Sequence, residues 1–415
     1  MNRSSITLLS VLVLVNVVNY VDRQIIFPLY PILGEEFQLS DFQLGLLVPV
    51  FMVVHAGASL PFGWLADRWS RKKVISFGVL FWSGATMLTG FAHSFRTLLV
   101  ARSLVGVGES AYAPAGTAMI SDAFPPSLRA RVQSIFTLGM FAGGIAGMML
   151  SGVLAESFGW RSAFFIVAAP GALLALVCLK LREPERTQRI RSGNVWGMLK
   201  SPAYVSTLFS SALIAFAASA YVAWTPTLAV RYHGFSITRA GIALGLTTLV
   251  GGLGGVIFGG WLADKMHSKF SGGRALAIAL GFLISSPLSL WAVLTGSHFH
   301  LQISLVLATF FLTWYHGPAT AVIHDLAPLR VRSAAFGLYM LFIHLVGTAT
   351  APPLIGLLAD TVGLRTAMLV PVVVTFLSGI GFLRVSFLMR NREPGLEGVG
   401  ASEEGRMAGS ADRLS

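Results

Sequence analysis

Charge is scarce in this chain. Of its 415 residues only 12% are Asp, Glu, Lys or Arg, while 54% are hydrophobic and the mean hydropathy is +0.73. A water-soluble domain of this composition would have little polar surface to offer its solvent, so lipid must surround most of the molecule. Cysteine is nearly absent. Cys178, inside an apolar run, stands alone, which excludes an intrachain disulfide and makes thiol redox chemistry an unsuitable reading. No Walker A lysine loop occurs, so ATP-driven pumping lacks its phosphate site. The serine of "GVGES" (106–110) is not in a G-x-S-x-G elbow and falls inside a predicted helix. With no nucleophile–base constellation and no Cys/His spacing for a metal, the sequence reads as neither an enzyme nor a cofactor or metal protein. A cleavable leader is not evident either, because the first apolar run is too long for a signal core and no small-residue cleavage site follows it.

What the chain does have is apolar length, with 44 glycines and 18 prolines to suit helices packed in a bilayer. A span needs roughly 20 apolar residues. Twelve such runs are predicted, at about 5–31, 42–65, 74–94, 98–121, 132–155, 162–180, 203–230, 240–263, 275–296, 300–322, 334–358 and 366–388. They must be helices, since a spanning chain satisfies its own backbone and these runs are too long for barrel strands. The fold class is therefore an all-α integral membrane protein.

Most of the 30 Lys and Arg residues fall in the even-numbered loops: "DRWSRKK" (67–73), "SLRAR" (127–131), the long 180–200 stretch, "DKMHSKFSGGR" (264–274) and "LRVR" (329–332). The first odd loop, "GEEFQLSD" (34–41), has none. The positive-inside rule then places both termini and the even loops in the cytoplasm. The net charge of +12 is orientation charge that attracts anionic lipid heads, not a nucleic-acid footprint.

The chain also repeats itself. "FGWLADRW" (62–69) returns as "GGWLADKM" (259–266), and "SGVLAESFGWR" (151–161) returns as "IGLLADTVGLR" (355–365), each after the corresponding span. This organises the chain as a six-helix bundle at 1–180, a cytoplasmic linker at 181–202, a second six-helix bundle at 203–390 and a polar tail at 391–415, expected to be disordered. Two six-helix halves related by an axis normal to the membrane are the architecture of a major facilitator transporter.

Inside the spans ionisable groups are few: Asp22, Arg23, Arg102, Glu109, His55, His316 and His344. Such groups are costly in lipid and normally face a cavity with a partner. Asn16, Asn19 and Arg23 make one polar stripe, and Arg102 and Glu109, seven apart, share a face. Asp22, Arg23 and Glu109 are expected to form one buried cluster. Burial favours a neutral acid and a neighbouring arginine favours the anion, a competition suited to carrying protons and equally compatible with a permanent ion pair between helices. Small residues in "GVGES" let another backbone approach. Gly63, Asp67, Arg68, Arg71 and Lys72, echoed by Asp264 and Lys265, suggest a reversible charge latch at the membrane edge. Trp224 and His316 sit beside prolines in "AWTP" and "WYHGP" as possible cavity walls, and His344 as an anion-binding or titrating group.

These residues carry a family resemblance. "NYVDR" (19–23), "GLLVPVFMVVHAGASLPFGWLADRWSRK" (45–72), "RSLVGVGESAYAPA" (102–115) and "IHLVGTATAPPLIGLLAD" (343–360) resemble the Spinster branch of the major facilitator superfamily over roughly residues 10–388. The resemblance implies twelve helices, alternating access and proton-linked movement of amphipathic lipids such as lysophospholipids or sphingoid phosphates. It implies proton coupling at Asp22 and Glu109, and cavity or substrate roles for Arg23, Arg102, Asn19, Tyr112 and His344. Gly347, Thr348 and Ala349 depart from the Gly-Asp-Ala that tends to follow the histidine in animal members. A second family, symporters of sugar acids and other organic anions, shares the Asp-Arg and Glu pattern. The expected setting is a prokaryotic inner membrane, with protons, an amphipathic substrate and membrane lipids as partners and the chain as a monomer.

Overall fold

A computed structural model of the chain describes residues 3–185, 195–328 and 331–391. Parts of the expected linker and of "LRVR", and nearly all of the expected tail, lie outside the described residues. The helices are α1 (Arg3–Phe37), α2 (Asp41–Arg68), α3 (Arg71–Gly90), α4 (Phe95–Ser110 continued by Tyr112–Ala123), α5 (Pro126–Phe158), α6 (Trp160–Leu179), α7 (Pro202–His233), α8 (Ile237–His267), α9 (Gly273–Leu294), α10 (His298–Leu326), α11 (Ala334–Val362) and α12 (Leu364–Arg390). Ten of them are long and apolar enough to cross a membrane by themselves. The other two, α3 and α4, are partly buried and carry more polar residues. α4 breaks at Ala111 into pieces of 16 and 12 residues, and α3 opens on Arg71, Lys72 and Lys73.

Several boundaries differ from the sequence expectation because helices continue through local breaks. α1 runs past a 3₁₀ turn at Phe27–Leu29 to Phe37. There Pro28 and Pro31 withhold two backbone donors, but each lies in the first turn of the next helical piece, where the donor is not needed. α8 and α11 contain π-helical turns at Thr248–Gly252 and Ile343–Thr348, a local widening that often marks functional segments.

The halves pack internally as α1 on α5, α3 on α6, α9 on α12 and α7 on α12. They meet chiefly through α5 against α8 and the start of α2 against α11. At the odd-loop end the contact is backbone to backbone. Gly45 lies against Pro352, Gly356 against Asp41, Gly152 against Thr238 and Gly241 against the Met148 carbonyl, each with no room for a Cβ. Tyr30 meets Trp224 edge-on there, with ring centroids 5.5 Å apart. This end of the molecule is closed.

Candidate functional site

Glycine positions the acidic site. A Cβ on Gly106 would come within 2.7 Å of the Phe51 carbonyl, and one on Gly108 within 2.6 Å of the Trp82 amide. Their absence lets α4 lie directly on α2 and α3, as the small residues of "GVGES" suggested. Glu109, next in the chain, is thereby carried into the middle of the first half, 1% exposed. Arg23 Nε donates to Glu109 Oε2 at 2.5 Å, joining α1 to α4. Asp22, 2% exposed, points elsewhere: its Oδ2 accepts from the Thr86 hydroxyl of α3. Successive residues on a helix diverge by about 100°, so one acid–base pair in sequence reaches two different helices. The expected cluster is assembled, but the bonded pair is Arg23–Glu109 rather than Arg23–Asp22.

Phe51 of α2 has both guanidiniums near its ring, Arg23 at 5.0 Å and Arg102 at 5.3 Å, and His55 stacks on it at 5.6 Å. Such contacts hold a cation without neutralising it. What distinguishes this site is unmet hydrogen-bonding capacity. Asn19 lies against Glu109 and His55 against the Gly106 backbone, while Asp22 Oδ1, Tyr30 Oη and Arg102 Nε and Nη1 are buried without a hydrogen-bond partner. Native proteins rarely leave buried polar atoms unpaired, and a group of them marks a place for water, a proton or a ligand. Across the halves, His344 lies within electrostatic reach of His55 and Arg23. Its Nδ1 is 2.7 Å from the Met340 carbonyl, in the π-turn of α11.

A second feature is a cavity of about 210 Å³ between α5, α7, α8, α9 and α10. Its walls are mainly apolar, with Phe141 and Met148 from the first half facing Tyr221, Thr248, Thr309 and His316 from the second. His316 stacks on Tyr315 at 4.4 Å and meets Phe141 edge-on at 5.6 Å, so the predicted wall residue is in place.

Other expectations are corrected by packing. Trp224 is fully buried; its indole N–H donates to the Pro352 carbonyl at 3.0 Å, and it does not line the cavity. The Tyr112 hydroxyl donates to the Leu12 carbonyl at 2.7 Å, so it staples α4 to α1. Asn16 leaves the expected polar stripe, since its Nδ2 donates to the Phe136 carbonyl of α5 at 2.8 Å. Gly63 is at no close approach, as a Cβ there would meet nothing within 4 Å.

At the even-loop end Arg71, 5% exposed, pairs with Asp122 at the end of α4 at 2.5 Å. Its amide and the Ser70 hydroxyl donate to Glu183, and Lys72 Nζ donates to the Leu181 carbonyl. In the second half Arg274 bridges Asp264 at 3.2 Å and Asp325 at 2.7 Å. Arg68 and Lys265 instead lie over Trp64 and Trp261, at 4.0 and 4.9 Å, and Asp67 is exposed at the end of α2. The Arg71–Asp122 and Arg274–Asp264 and Asp325 pairs each lie within one half. Asp122, Asp325, Arg274 and Glu183 were missed from the sequence, although "ISDAFPPSLRAR" (120–131) and "IHDLAPLRVR" (323–332) are a further repeat that aligns the two aspartates.

The described residues form twelve helices in two halves, with buried charges in the first half and a cavity between the two, an arrangement that suits a membrane transporter. The profile of the Major Facilitator Superfamily matches residues 12–292 and 268–410, and the chain belongs to that superfamily. An MFS-type efflux pump of Mycolicibacterium smegmatis is 27% identical over 360 residues, covering 85% of this chain and 83% of the relative. The sphingosine-1-phosphate transporter SPNS2 of Danio rerio is 28% identical over 384 residues, covering 83% and 74%. A crystal structure of a bacterial homolog to the human lysosomal transporter Spinster, described as inward-facing and unoccupied, superimposes with a TM-score of 0.85 at 25% identity, covering 95% of this chain and all of that one. Within the superfamily the chain is similar to Spinster proteins in both sequence and structure, and the superfamily is one of transporters.

Proposed function

We propose that the protein is a proton-linked transporter of an amphipathic, anionic or zwitterionic lipid-like molecule, working by alternating access. The observation that carries the proton role is the set of unpartnered atoms around Asp22 and Glu109. Both acids are buried, with one oxygen tied to another helix, Asp22 to Thr86 and Glu109 to Arg23, and Asp22 Oδ1 has no hydrogen-bond partner, so each acid can take up a proton in a site poor in compensating bonds. Protonating Glu109 would weaken its tie to Arg23 and free that guanidinium. A proton or substrate biases the equilibrium only by binding one state more tightly than the other, and the Arg23–Glu109 bond is a contact whose strength depends on protonation. Arg23, Arg102, Asn19 and His344 are assigned to the polar end of the substrate, and the apolar cavity beside His316 to its tail. The names of the zebrafish transporter and the mycobacterial pump support a lipid-like or exported substrate.

The moving bodies are residues 1–180 and 203–390, which rock about the middle of the membrane. With the odd-loop end closed, and the basic even loops assigned to the cytoplasm, the chain is in an inward-facing state, in a plasma membrane with both termini cytoplasmic.

A second reading, symport of a small organic anion such as a sugar acid, is favoured by one observation: Arg102 holds two unpartnered donors in the site. Proteoliposome uptake separates the two, using a labelled lysophospholipid with a leak control beside a labelled sugar acid, with and without an imposed pH gradient. Gradient-driven movement of the amphiphile supports the first reading. Movement of the sugar acid alone supports the second.

A further inference from the structure

The repeat "SGVLAESFGWR" and "IGLLADTVGLR" has no part in the acidic site or the cavity. It lies at the ends of α5 and α11, and both copies reach across to the opposite half. Asp360 of α11 accepts the Asp41 amide at 2.8 Å and the Phe42 amide at 3.0 Å, so it caps the start of α2. Glu156 of α5, its counterpart in the repeat, accepts the Thr238 amide at 3.1 Å at the start of α8. The capped helices correspond as well. Each begins on a serine cap, Ser40 or Ser236, and carries a glycine five residues on, Gly45 or Gly241. The capping acids likewise follow a glycine by four, Gly152 and Gly356. Those four glycines are the ones that let the backbones touch across the halves.

We infer that these two seams are the gate of the odd-loop end, each a carboxylate hooked over the first amides of the facing helix and seated by a pair of glycines. The first amides of a helix have no partner in their own helix and attract negative charge. Closing the end satisfies them from the other half; opening it returns them to water. The seams are unequal. Asp360 takes two amides, and in the same seam Arg231 Nη1 and Nη2 grip the Asp41 carboxylate at 2.6 and 2.7 Å, a bidentate bond from α7. Glu156 likewise takes more than one group, the Thr238 and Ile237 amides and the Ser236 and Thr238 hydroxyls, so the inequality rests on the arginine: Arg239 beside it lies over Phe235 at 4.2 Å. The α2–α11 seam is therefore the one that sets the closed population.

The test is pulsed electron resonance on spin labels at His93→Cys and Gly296→Cys, in the full chain with Cys178→Ala. Both label sites are exposed in odd loops of opposite halves. Asp360→Ala is expected to raise the long-distance population about fivefold, the usual effect of losing a helix cap, and Glu156→Ala by less. Gly356→Leu is expected to shift the distribution outright, because the backbones can no longer touch. Leu357→Ala, on an exposed apolar side chain of the same helix, is expected to leave it unchanged. The acid variants remove little volume and keep the fold, and a melting curve on each checks this. Parent-like distances in Asp360→Ala and Gly356→Leu would overturn the gate. A larger shift from Glu156→Ala than from Asp360→Ala would overturn the ranking. Neither outcome depends on which substrate is carried.

Discussion

Asp22 and Arg23 are neighbours in the chain but not in bonding. Arg23 is committed to Glu109 on α4 and Asp22 to Thr86 on α3, so the two acids of the site have different partners and need not act alike. Asp22→Asn keeps the shape and a possible bond to Thr86 while removing the charge, and Glu109→Gln does the same beside Arg23. Both are expected to bring gradient-driven accumulation down to the gradient-free level while exchange of substrate across the membrane continues, as read by counterflow. Tyr112→Phe separates structure from chemistry. It is expected to cost about 1 kcal/mol of stability from the lost bond to Leu12 and to leave uptake at the parent rate. A large loss of uptake without a change in melting temperature would return Tyr112 to the substrate.

At the scale of the helix, glycine and buried ion pairs decide the geometry. Gly108→Val would place methyl groups where Trp82 of α3 now sits, at an expected cost toward the upper end of about 1–3 kcal/mol, seen as a lower melting temperature. Arg71→Met would strand Asp122, whose side chain is only 10% exposed. Loss of about 3 kcal/mol is expected, the lower end for a broken buried pair because the site borders water. Asp122→Asn combined with Arg71→Met should recover much of it, as read by the same melting curve. The twelve spans, the repeats and the acids of the site were legible in the sequence because apolar length, self-similarity and isolated charge are local signals. The partner of Arg23 was not, because which way neighbouring side chains point depends on packing between helices distant in the chain. Trp224 and Tyr112 misled for the same reason: polar-tipped aromatics can face a cavity or donate to a carbonyl, as these two do. The break of α4 at Ala111 and the π-turns of α8 and α11 leave no fixed residue signature and are set by the tight contacts around them.

For the whole molecule, the halves are closed at one end by backbone contact and capped amides, and the buried acids proposed to carry protons lie in the first half. Coupling between the two requires that a change at Arg23–Glu109 alter the balance between closed and open ends. His344 on α11 is the connection in view, within electrostatic reach of Arg23 and on the same helix as Asp360. His344→Ala is therefore expected to flatten the change in spin-label distance across a pH series, with the distance near that of the parent at one end of the series and departing from it toward the other. An unaltered pH response would remove α11 from the coupling route.

The most direct measurement is uptake of a labelled lysophospholipid into proteoliposomes under an imposed pH gradient, comparing the parent with Asp22→Asn and Glu109→Gln, each checked for folding by its melting temperature. The predicted result is accumulation by the parent that collapses with the gradient and is lost in both variants. Undiminished gradient-driven accumulation by the folded double variant would contradict the proton role assigned to these two acids.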